Sequence, residues 1–186
     1  MATTARERLL NAATELFYEE GVHTVGIDRV IERAGVAKAT LYNTYGSKDG
    51  LIRAYLADRH ESRRRRITAK VEQHQDPRAR LLAVFDALDD SINAPNYHGC
   101  AFVNATAEAS PDSGIQEATA EYRSWVRGLL TDLSRAAGAE DPERLARALV
   151  LLYDGTSISA RFDHDLTAAE LARSTAEVLL DAAVAR

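Results

Sequence analysis

The sequence has little of several residue types that decide between classes of protein: one cysteine, one tryptophan, one methionine and four prolines. A single cysteine excludes an intramolecular disulfide and a cysteine-based zinc finger. Prolines and glycines lie mostly at breaks between segments, and β-branched runs are few, so the alanine-rich remainder predicts an all-α fold. No apolar run approaches the ~18 residues of a membrane-spanning helix, and no basic-then-apolar signal precedes the first helix. We therefore expect a cytoplasmic protein with no membrane partner.

Acidic residues outnumber basic ones, and the formal net charge of the 186 residues is −5 at pH 7. This excess is unevenly distributed. Residues 1–66 carry 12 Lys and Arg against 9 Asp and Glu, whereas residues 67–186 carry 11 against 19. A mildly basic head followed by an acidic body suits a protein that contacts phosphates with one end only. The overall acidity therefore does not argue against a nucleic-acid partner.

Helix-start signals divide the chain into about nine helices. Thr4 and Glu7 fit a capping box at the first helix, and Thr167 and Glu170 fit a second one at the last helix. The five helices after the fourth are expected at about 77–93, 99–109, 112–137, 142–161 and 167–185.

Two further start signals combine an aspartate with a proline. Asp76-Pro77 and Asp141-Pro142 each have the pattern of an N-cap followed by proline at the first helical position. Ser47 is expected to cap a long fourth helix that runs from Lys48 to about Val71. This helix begins at the basic head and extends into the acidic body, so it is the natural mechanical link between them.

The stretch from Thr24 to Leu51 has the pattern of two short helices joined by a tight glycine turn. Apolar residues recur at i, i+3, i+4 and i+7 on one face of the first: Ile27, Val30, Ile31 and Ala34. Gly35 follows where a helix ends in the left-handed conformation, which a Cβ disfavours. The second helix has Leu41 and Tyr45 on its inner face and hydrogen-bonding groups between them. This arrangement is typical of a helix-turn-helix that enters a major groove, so we predict double-stranded DNA as a partner.

The DNA-facing residues are predicted from this stretch and from the start of the fourth helix. Asn43 and Thr44 are the expected base readers, because Asn pairs with adenine and Thr contacts a thymine methyl. Tyr42, Lys48 and Thr24 fit phosphate positioning, which sets register without reading sequence. The full predicted set is Thr24, Lys38, Thr40, Tyr42, Asn43, Thr44 and Lys48. The alternative for the group is a solvated helix face.

Four short motifs resemble the TetR family of transcriptional repressors: Gly21, Ala34-Gly35-Val36, Thr40-Leu41-Tyr42, and Ser47-Lys48-Asp49 before Leu51. They occur in the family's order and at its spacing. The resemblance implies a helix-turn-helix DNA-binding head of three helices, residues 1–47, and a helical effector-binding and dimerisation body, residues 48–186. It also implies nine helices in all and a two-fold dimer built from the last two.

The head departs from the family's usual pattern at four positions. Gly26 stands where the family often has Ser or Thr, and Ala37 stands where Ser is common. Tyr45 replaces the usual Phe, and Gly46 replaces the usual Pro. The hydroxyls missing at positions 26 and 37 remove two potential helix caps and phosphate donors, although backbone N–H groups at those helix starts still suit phosphate.

The segment His98–Glu108 looks like the sixth helix of one TetR subgroup, which implies an effector pocket in the body. Asn104 and Glu108 are one turn apart, so they either point together into a cavity or form a capped or solvent-facing pair. Cys100, expected in the first turn, is either a redox or electrophile sensor or a small buried apolar residue. The aromatic residues further on either line the pocket or belong to the core. The predicted effector-binding set is Cys100, Asn104, Glu108, Tyr122, Trp125, Tyr153, Arg161 and Phe162.

The run Arg63–Arg66 does not fit a DNA contact. Consecutive helical residues point in different directions, and residue 64 lies ~24 Å along its helix from the DNA-facing end. We predict that the run pairs instead with acidic residues such as Asp86, Asp89 and Asp90.

Together these features predict a DNA-binding transcriptional regulator, specifically a repressor that a small-molecule effector releases from a near-palindromic operator. A homodimer is expected through the last two helices, where small residues are interspersed with Leu145, Leu149, Leu152, Ile158, Leu171, Val178 and Leu179. The five histidines show no metal-binding spacing and no catalytic group has an orienting partner, so we expect no metal, cofactor or enzymatic activity. The alternatives are a DNA-binding regulator without a small-molecule effector, and an all-helical carrier or enzyme with a structural head.

Overall fold

The computed structural model describes residues 3–109 and 114–184. Within these residues the chain forms nine α-helices and no strand. In chain order they are α1 (Ala5–Glu20), α2 (Ile27–Ala34), α3 (Lys38–Tyr45), α4 (Lys48–Glu72), α5 (Pro77–Ile92), α6 (Ala101–Glu108), α7 (Gly114–Ala136), α8 (Pro142–Phe162) and α9 (Ala168–Ala183). The prediction of an all-α fold with about nine helices is confirmed. None of the described helices combines the length and apolarity needed to cross a bilayer.

The helix-start signals predicted for α1, α5 and α8 are confirmed. Thr4 Oγ1 accepts a hydrogen bond from the Glu7 N–H at 3.2 Å, and the Glu7 carboxylate accepts one from the Thr4 N–H at 2.7 Å. Asp76 and Asp141 each accept a hydrogen bond from a backbone N–H in the first turn, at 2.8 and 2.9 Å, and a proline follows each of them. These side chains satisfy donors that a helix start leaves without a partner in the helix.

The capping box predicted for Thr167 and Glu170 is wrong. Thr167 has helical dihedral angles, φ −94° and ψ −4°, and its side chain makes no capping hydrogen bond to α9. Its N–H and hydroxyl donate to Oδ1 of Asp165 instead, at 2.8 and 2.7 Å. These bonds hold the pKa of Asp165 below its ordinary value. A carboxylate two residues upstream therefore outcompetes the helix for the threonine.

The chain packs into two compact units. We call them the head unit, Met1–Glu61 with Cys100–Glu121, and the body unit, Ser62–Gly99 with Tyr122–Arg186. The border between the units falls within α4 and again within α7, so each of these helices contributes to both. The division at residue 47 into DNA-binding and effector-binding domains is a division by function and stays a prediction.

The head unit contains α1 packed against both α2 and α3. Its core consists of apolar side chains that are almost fully buried: Leu9, Ala13, Leu16, Val30, Leu41 and Leu51. Gly35 ends α2 with φ 62° and ψ 45°, which confirms the predicted left-handed turn. Arg8 of α1 donates from Nε to the carbonyl oxygen of Ala34 at 3.1 Å, so a side chain also satisfies the end of α2.

A glycine allows α4 to begin close to the end of α3. Ser47 Oγ accepts a hydrogen bond from the Gly50 N–H at 3.0 Å, which confirms the predicted cap. A Cβ on Gly50 would overlap the carbonyl oxygen of Tyr45, the last residue of α3. Only glycine permits this approach without a shift of the backbone.

The body unit contains α5, α8 and α9, and each of these helices contacts the other two. Small residues of α9 are buried at these contacts: Ala169, Ala172 and Ala176. Larger side chains fill the spaces beside them, and Phe85, Leu149 and Leu180 are completely buried. Small residues at the contact positions allow the helix axes to approach closely.

Candidate nucleic-acid interface and effector site

The third helix of the head presents a polar face to solvent. Leu41, on the inner side of α3, is completely buried in the core of the head unit. The residues on its outer face are exposed: Lys38, Tyr42 and Asn43. The helix therefore contributes one apolar anchor to the core and leaves hydrogen-bonding side chains free of packing constraints, as a recognition helix requires.

Thr40 and Thr44 lie at the edge of this face and are half-buried. The Thr44 hydroxyl donates to the carbonyl oxygen of Thr40 at 2.6 Å. Because its proton is bonded within the helix, Thr44 has its methyl group and its oxygen lone pairs left for a ligand. A methyl group is the part of threonine that contacts thymine in a major groove.

The starts of α2 and α3 carry no side-chain cap among the described residues. Gly26 and Ala37 have the extended backbone of N-cap residues, and neither provides a capping hydrogen bond. The helix dipole and the N–H groups of the first turn favour an anion at such a position. The loss of caps predicted from these two residues is therefore observed, and it leaves two N-termini of the head suited to phosphate.

Lys48 contacts the loop that carries Thr24, which lies 24 positions earlier in the sequence. Thr24 is exposed in the loop between α1 and α2. Lys48, the first residue of α4, donates from Nζ to the carbonyl oxygen of His23 at 3.4 Å. The two predicted phosphate contacts therefore lie at the same loop.

Lys38 is ion-paired within the head unit. Its Nζ lies 2.9 Å from Oδ1 of Asp28, in the first turn of α2. The hydrogen bond to Asp28 raises the pKa of Lys38 above its ordinary value, so the ammonium group stays charged near neutral pH. Sequence reasoning missed Asp28, because an acidic residue in the first turn of a helix is common for its interaction with the helix dipole alone.

Glu108, the last residue of α6, contacts the loop between α1 and α2. Its Oε2 accepts a hydrogen bond from the His23 N–H at 2.8 Å. The carboxylate also lies against Gly21, where a Cβ would come within 2.7 Å of Oε1. The structure thus places this predicted effector residue beside the loop that carries Thr24, whereas Asn104, one turn earlier, is half-buried.

In the body unit, the structure brings together the three predicted aromatic residues Tyr122, Trp125 and Tyr153. The hydroxyl of Tyr122 donates to that of Tyr153 at 3.3 Å, and both side chains are buried. The rings of Tyr122 and Trp125 are 6.5 Å apart. Arg63 donates from Nη1 to the Tyr122 hydroxyl at 2.7 Å, and its guanidinium carbon lies 5.4 Å from the ring centroid. These residues form a buried polar cluster.

One member of the arginine run, Arg63, has a partner that was not predicted. Its side chain is only 6% exposed and donates to the Tyr122 hydroxyl in the tyrosine cluster. Two of the expected acidic partners pair elsewhere, Asp86 with Arg173 at 2.7 Å and Asp90 with Lys70 at 2.6 Å. The sequence indicates that the four arginines point in different directions, but it does not identify Arg63 as the one that faces inward.

The remaining predicted effector residues lie at helix ends. Arg161 and Phe162 are exposed at the end of α8, and the alkyl chain of Arg161 lies against Gly99. Cys100 is buried and is the N-cap residue of α6, not a member of its first turn as expected, because the helix begins at Ala101. Across the described ranges, no group of three or more His, Cys, Asp or Glu is arranged to hold a metal ion.

A short helix held by a glycine turn, with one buried leucine and an exposed polar face, defines a helix-turn-helix DNA-binding protein. The family model of bacterial regulatory proteins, tetR family, matches residues 9–55. The structure is similar to that of SCO4454, a TetR-family transcriptional regulator from Streptomyces coelicolor, with 36% identity and a TM-score of 0.91 over 97% of this chain and 96% of that one.

Two curated relatives agree with this comparison. The HTH-type transcriptional repressor ComR of Escherichia coli K12 is 31% identical over 170 residues, which cover 84% of this chain and 79% of ComR. The HTH-type transcriptional activator FasR of Mycolicibacterium smegmatis is 36% identical over 87 residues, which cover 47% of this chain and 40% of FasR. The chain belongs to the TetR family of DNA-binding transcriptional regulators.

Proposed function

We propose that this regulator acts as a homodimeric repressor, which binds a near-palindromic operator and is released from it by a small-molecule effector. The polar face of α3 carries the proposal. Asn43 and Thr44 read base edges, and Thr24, Tyr42 and Lys48 contact phosphates. Lys38 and Thr40 complete the DNA-facing set. Exposure of this face, together with the uncapped starts of α2 and α3, supports these roles.

The exposed apolar side chains of the last two helices support a homodimer. Leu151, Gly155, Ile158 and Phe162 follow one another at intervals of four, three and four residues, so they lie on one face of α8. Leu151 is 74% exposed and Phe162 75% exposed. The exposed apolar residues that follow are Leu166, Leu171 and Val178. We call this set the α8–α9 face, and several large exposed apolar side chains of this kind suit a protein–protein interface.

Two features support an effector-driven release. The buried cluster of Arg63, Tyr122 and Tyr153 offers polar groups among the apolar side chains in the core of the body unit, and a small-molecule site commonly combines the two. Glu108 ties the end of α6 to the loop that carries Thr24, so a shift of α6 would move a DNA-contacting segment. The effector acts through its differential affinity for two states, for which ~1–3 kcal/mol of coupling is typical.

Gel-shift titration against the DNA that flanks its own coding region tests the DNA-binding part of the proposal. The control is a shuffled duplex of equal length and composition. We expect binding that is selective for the flanking DNA and that weakens as the salt concentration rises. Equal binding to both duplexes would contradict a sequence-reading α3, and no binding would favour the carrier or enzyme alternative.

A compound library screened by thermal shift tests the effector part. Compounds that bind the native state raise its melting temperature. We expect some of these compounds also to release the protein from DNA, and Tyr153→Phe to weaken their effect. Stabilising compounds that leave DNA binding unchanged would instead favour a regulator without a small-molecule effector.

Transcription from the bound promoter tests the direction of regulation. One relative is named as a repressor and another as an activator. A repressor predicts higher reporter output when the regulator is deleted, whereas lower output would identify an activator.

A further inference from the structure

The lysine at the start of α3 already has an anionic partner before any DNA is present. The side chains of Lys38 and Asp28 are 56% and 81% exposed, and their charged groups are 2.9 Å apart. Asp28 lies in the first turn of α2, whose uncapped N-terminus is suited to phosphate. The carboxylate therefore occupies a position where a DNA phosphate and the ammonium group of Lys38 would otherwise meet.

We propose that Asp28 competes with DNA phosphate for Lys38 and so restrains sequence-independent binding by the head unit. This inference rests on the proposed role of the α3 face in DNA binding. A phosphate contact by Lys38 requires the ammonium group to leave Asp28, and Asp28 then faces the DNA as an unpaired negative charge. The free energy that one phosphate contact contributes to binding is therefore largely offset by the lost ion pair and by the repulsion between Asp28 and the DNA.

The salt dependence of binding follows from the same exchange. Each phosphate that a free cation neutralises releases condensed counterions and steepens the slope of log K against log salt by about 0.9. While Lys38 stays paired with Asp28, it neutralises a phosphate less completely, so its contribution to counterion release is reduced. Without Asp28, the full slope of one additional phosphate contact is expected.

The test uses a random-sequence duplex of about 20 base pairs, fluorescence anisotropy and a series of salt concentrations. Asp28→Asn is expected to bind about threefold to tenfold more tightly at low salt, with a slope steeper by about one. In a Lys38→Gln background, Asp28→Asn is expected to produce less than a twofold change, because the competing lysine is gone. Thermal unfolding confirms that each variant is folded.

Glu32→Gln is the matched control, since it removes one exposed carboxylate from the same helix. It is expected to change affinity less than Asp28→Asn does. An equal gain from Glu32→Gln, or an undiminished gain in the Lys38→Gln background, would overturn the proposal in favour of a net-charge effect. If Asp28→Asn bound DNA as the wild type does while Lys38→Gln bound more weakly, the role proposed for Asp28 would be overturned. The proposed DNA-binding role of α3 would then still stand. Absence of DNA binding by the wild-type protein would overturn both proposals.

Discussion

Two exposed faces of this chain differ in the chemistry they offer to a partner. The α3 face has hydrogen-bonding side chains around Tyr42 and Asn43, which water satisfies when no DNA is bound. The α8–α9 face has Leu151 and Phe162 about three-quarters exposed, and water does not satisfy side chains of this kind. A polar face suits a partner that is bound and released, whereas exposed apolar side chains suit a partner that stays in place. The difference supports the proposed roles, which are reversible DNA contact by α3 and lasting self-association through the α8–α9 face.

The largest expected effect comes from a charge placed in the α8–α9 face. In a two-fold interface Leu151→Glu occurs twice, and burial of like charges near each other costs several kcal/mol. We expect the dimer dissociation constant to rise at least ~100-fold, measured by sedimentation equilibrium. Because Leu151 is largely exposed in the single chain, its fold should persist.

Val103→Glu is the control for this prediction, since it introduces the same charge at an exposed apolar residue of α6. The control should remain dimeric. If Leu151→Glu also remained dimeric at the same protein concentrations, the assignment of the α8–α9 face would be wrong.

The next effect tests whether the α3 face depends on the close approach of α3 and α4. Gly50→Ala places a Cβ against the Tyr45 carbonyl oxygen, so the backbone must shift. We expect a loss of ~1–3 kcal/mol in the free energy of unfolding and weaker DNA binding, with the dimer intact. Chemical denaturation followed by circular dichroism measures the loss.

Gly128→Ala in α7 is the matched control, because it is expected to raise the free energy of unfolding. An added Cβ there meets no atom within 4 Å, and alanine favours a helix over glycine. The free energy of unfolding of this variant should be higher by ~0.4–1 kcal/mol. If Gly50→Ala and Gly128→Ala changed the free energy of unfolding equally, the close approach of α3 and α4 would not require glycine at position 50.

Within the α3 face, the substitutions of Asn43 and Tyr42 are expected to change DNA binding in different ways. Asn43→Ala should reduce discrimination at one base pair by ~1–3 kcal/mol, because a side chain that reads a base edge is lost. Tyr42→Ala should weaken binding to all sequences by a similar factor, since phosphate contacts carry no sequence information. Competition assays with single-base operator variants separate the two patterns, and a uniform loss for both would refute the division into readers and positioners.

The smallest expected effect is a gain in stability at the start of α3. Ala37→Ser supplies the missing N-cap and should add ~0.5–1 kcal/mol to the free energy of unfolding. Ala39→Ser, at an exposed position inside the helix, should be neutral or slightly destabilising. A loss from Ala37→Ser as large as that from Ala39→Ser would indicate that position 37 is not the N-cap.

The head could be predicted from the sequence because its signals are local. Gly35 ends α2, Thr4 begins α1 and Ser47 begins α4, and each acts on backbone groups within five residues. Thr167 was mispredicted for a local reason as well, since Asp165 offered the stronger acceptor. Local chemistry therefore accounts for both the successes and this failure.

The site could be predicted less completely, because its decisive contacts join distant parts of the sequence. Glu108 reaches His23 across 85 residues, and Arg63 reaches Tyr122 across 59. The surplus of apolar residues in α8 and α9 indicated an interface, but composition could not show which residues face outward. Leu149, expected there, is buried in the body unit.

Selection of bound duplexes from a random DNA pool tests the central claim most directly, because it requires both faces at once. Two copies of α3 joined through the α8–α9 face should enrich an inverted repeat whose half-site centres are about 34–36 Å, or roughly 10 base pairs, apart. Asn43→Ala should enrich a repeat that is relaxed at one position in each half-site. A pool that shows no enrichment, or that enriches single half-sites without an inverted partner, would contradict the account.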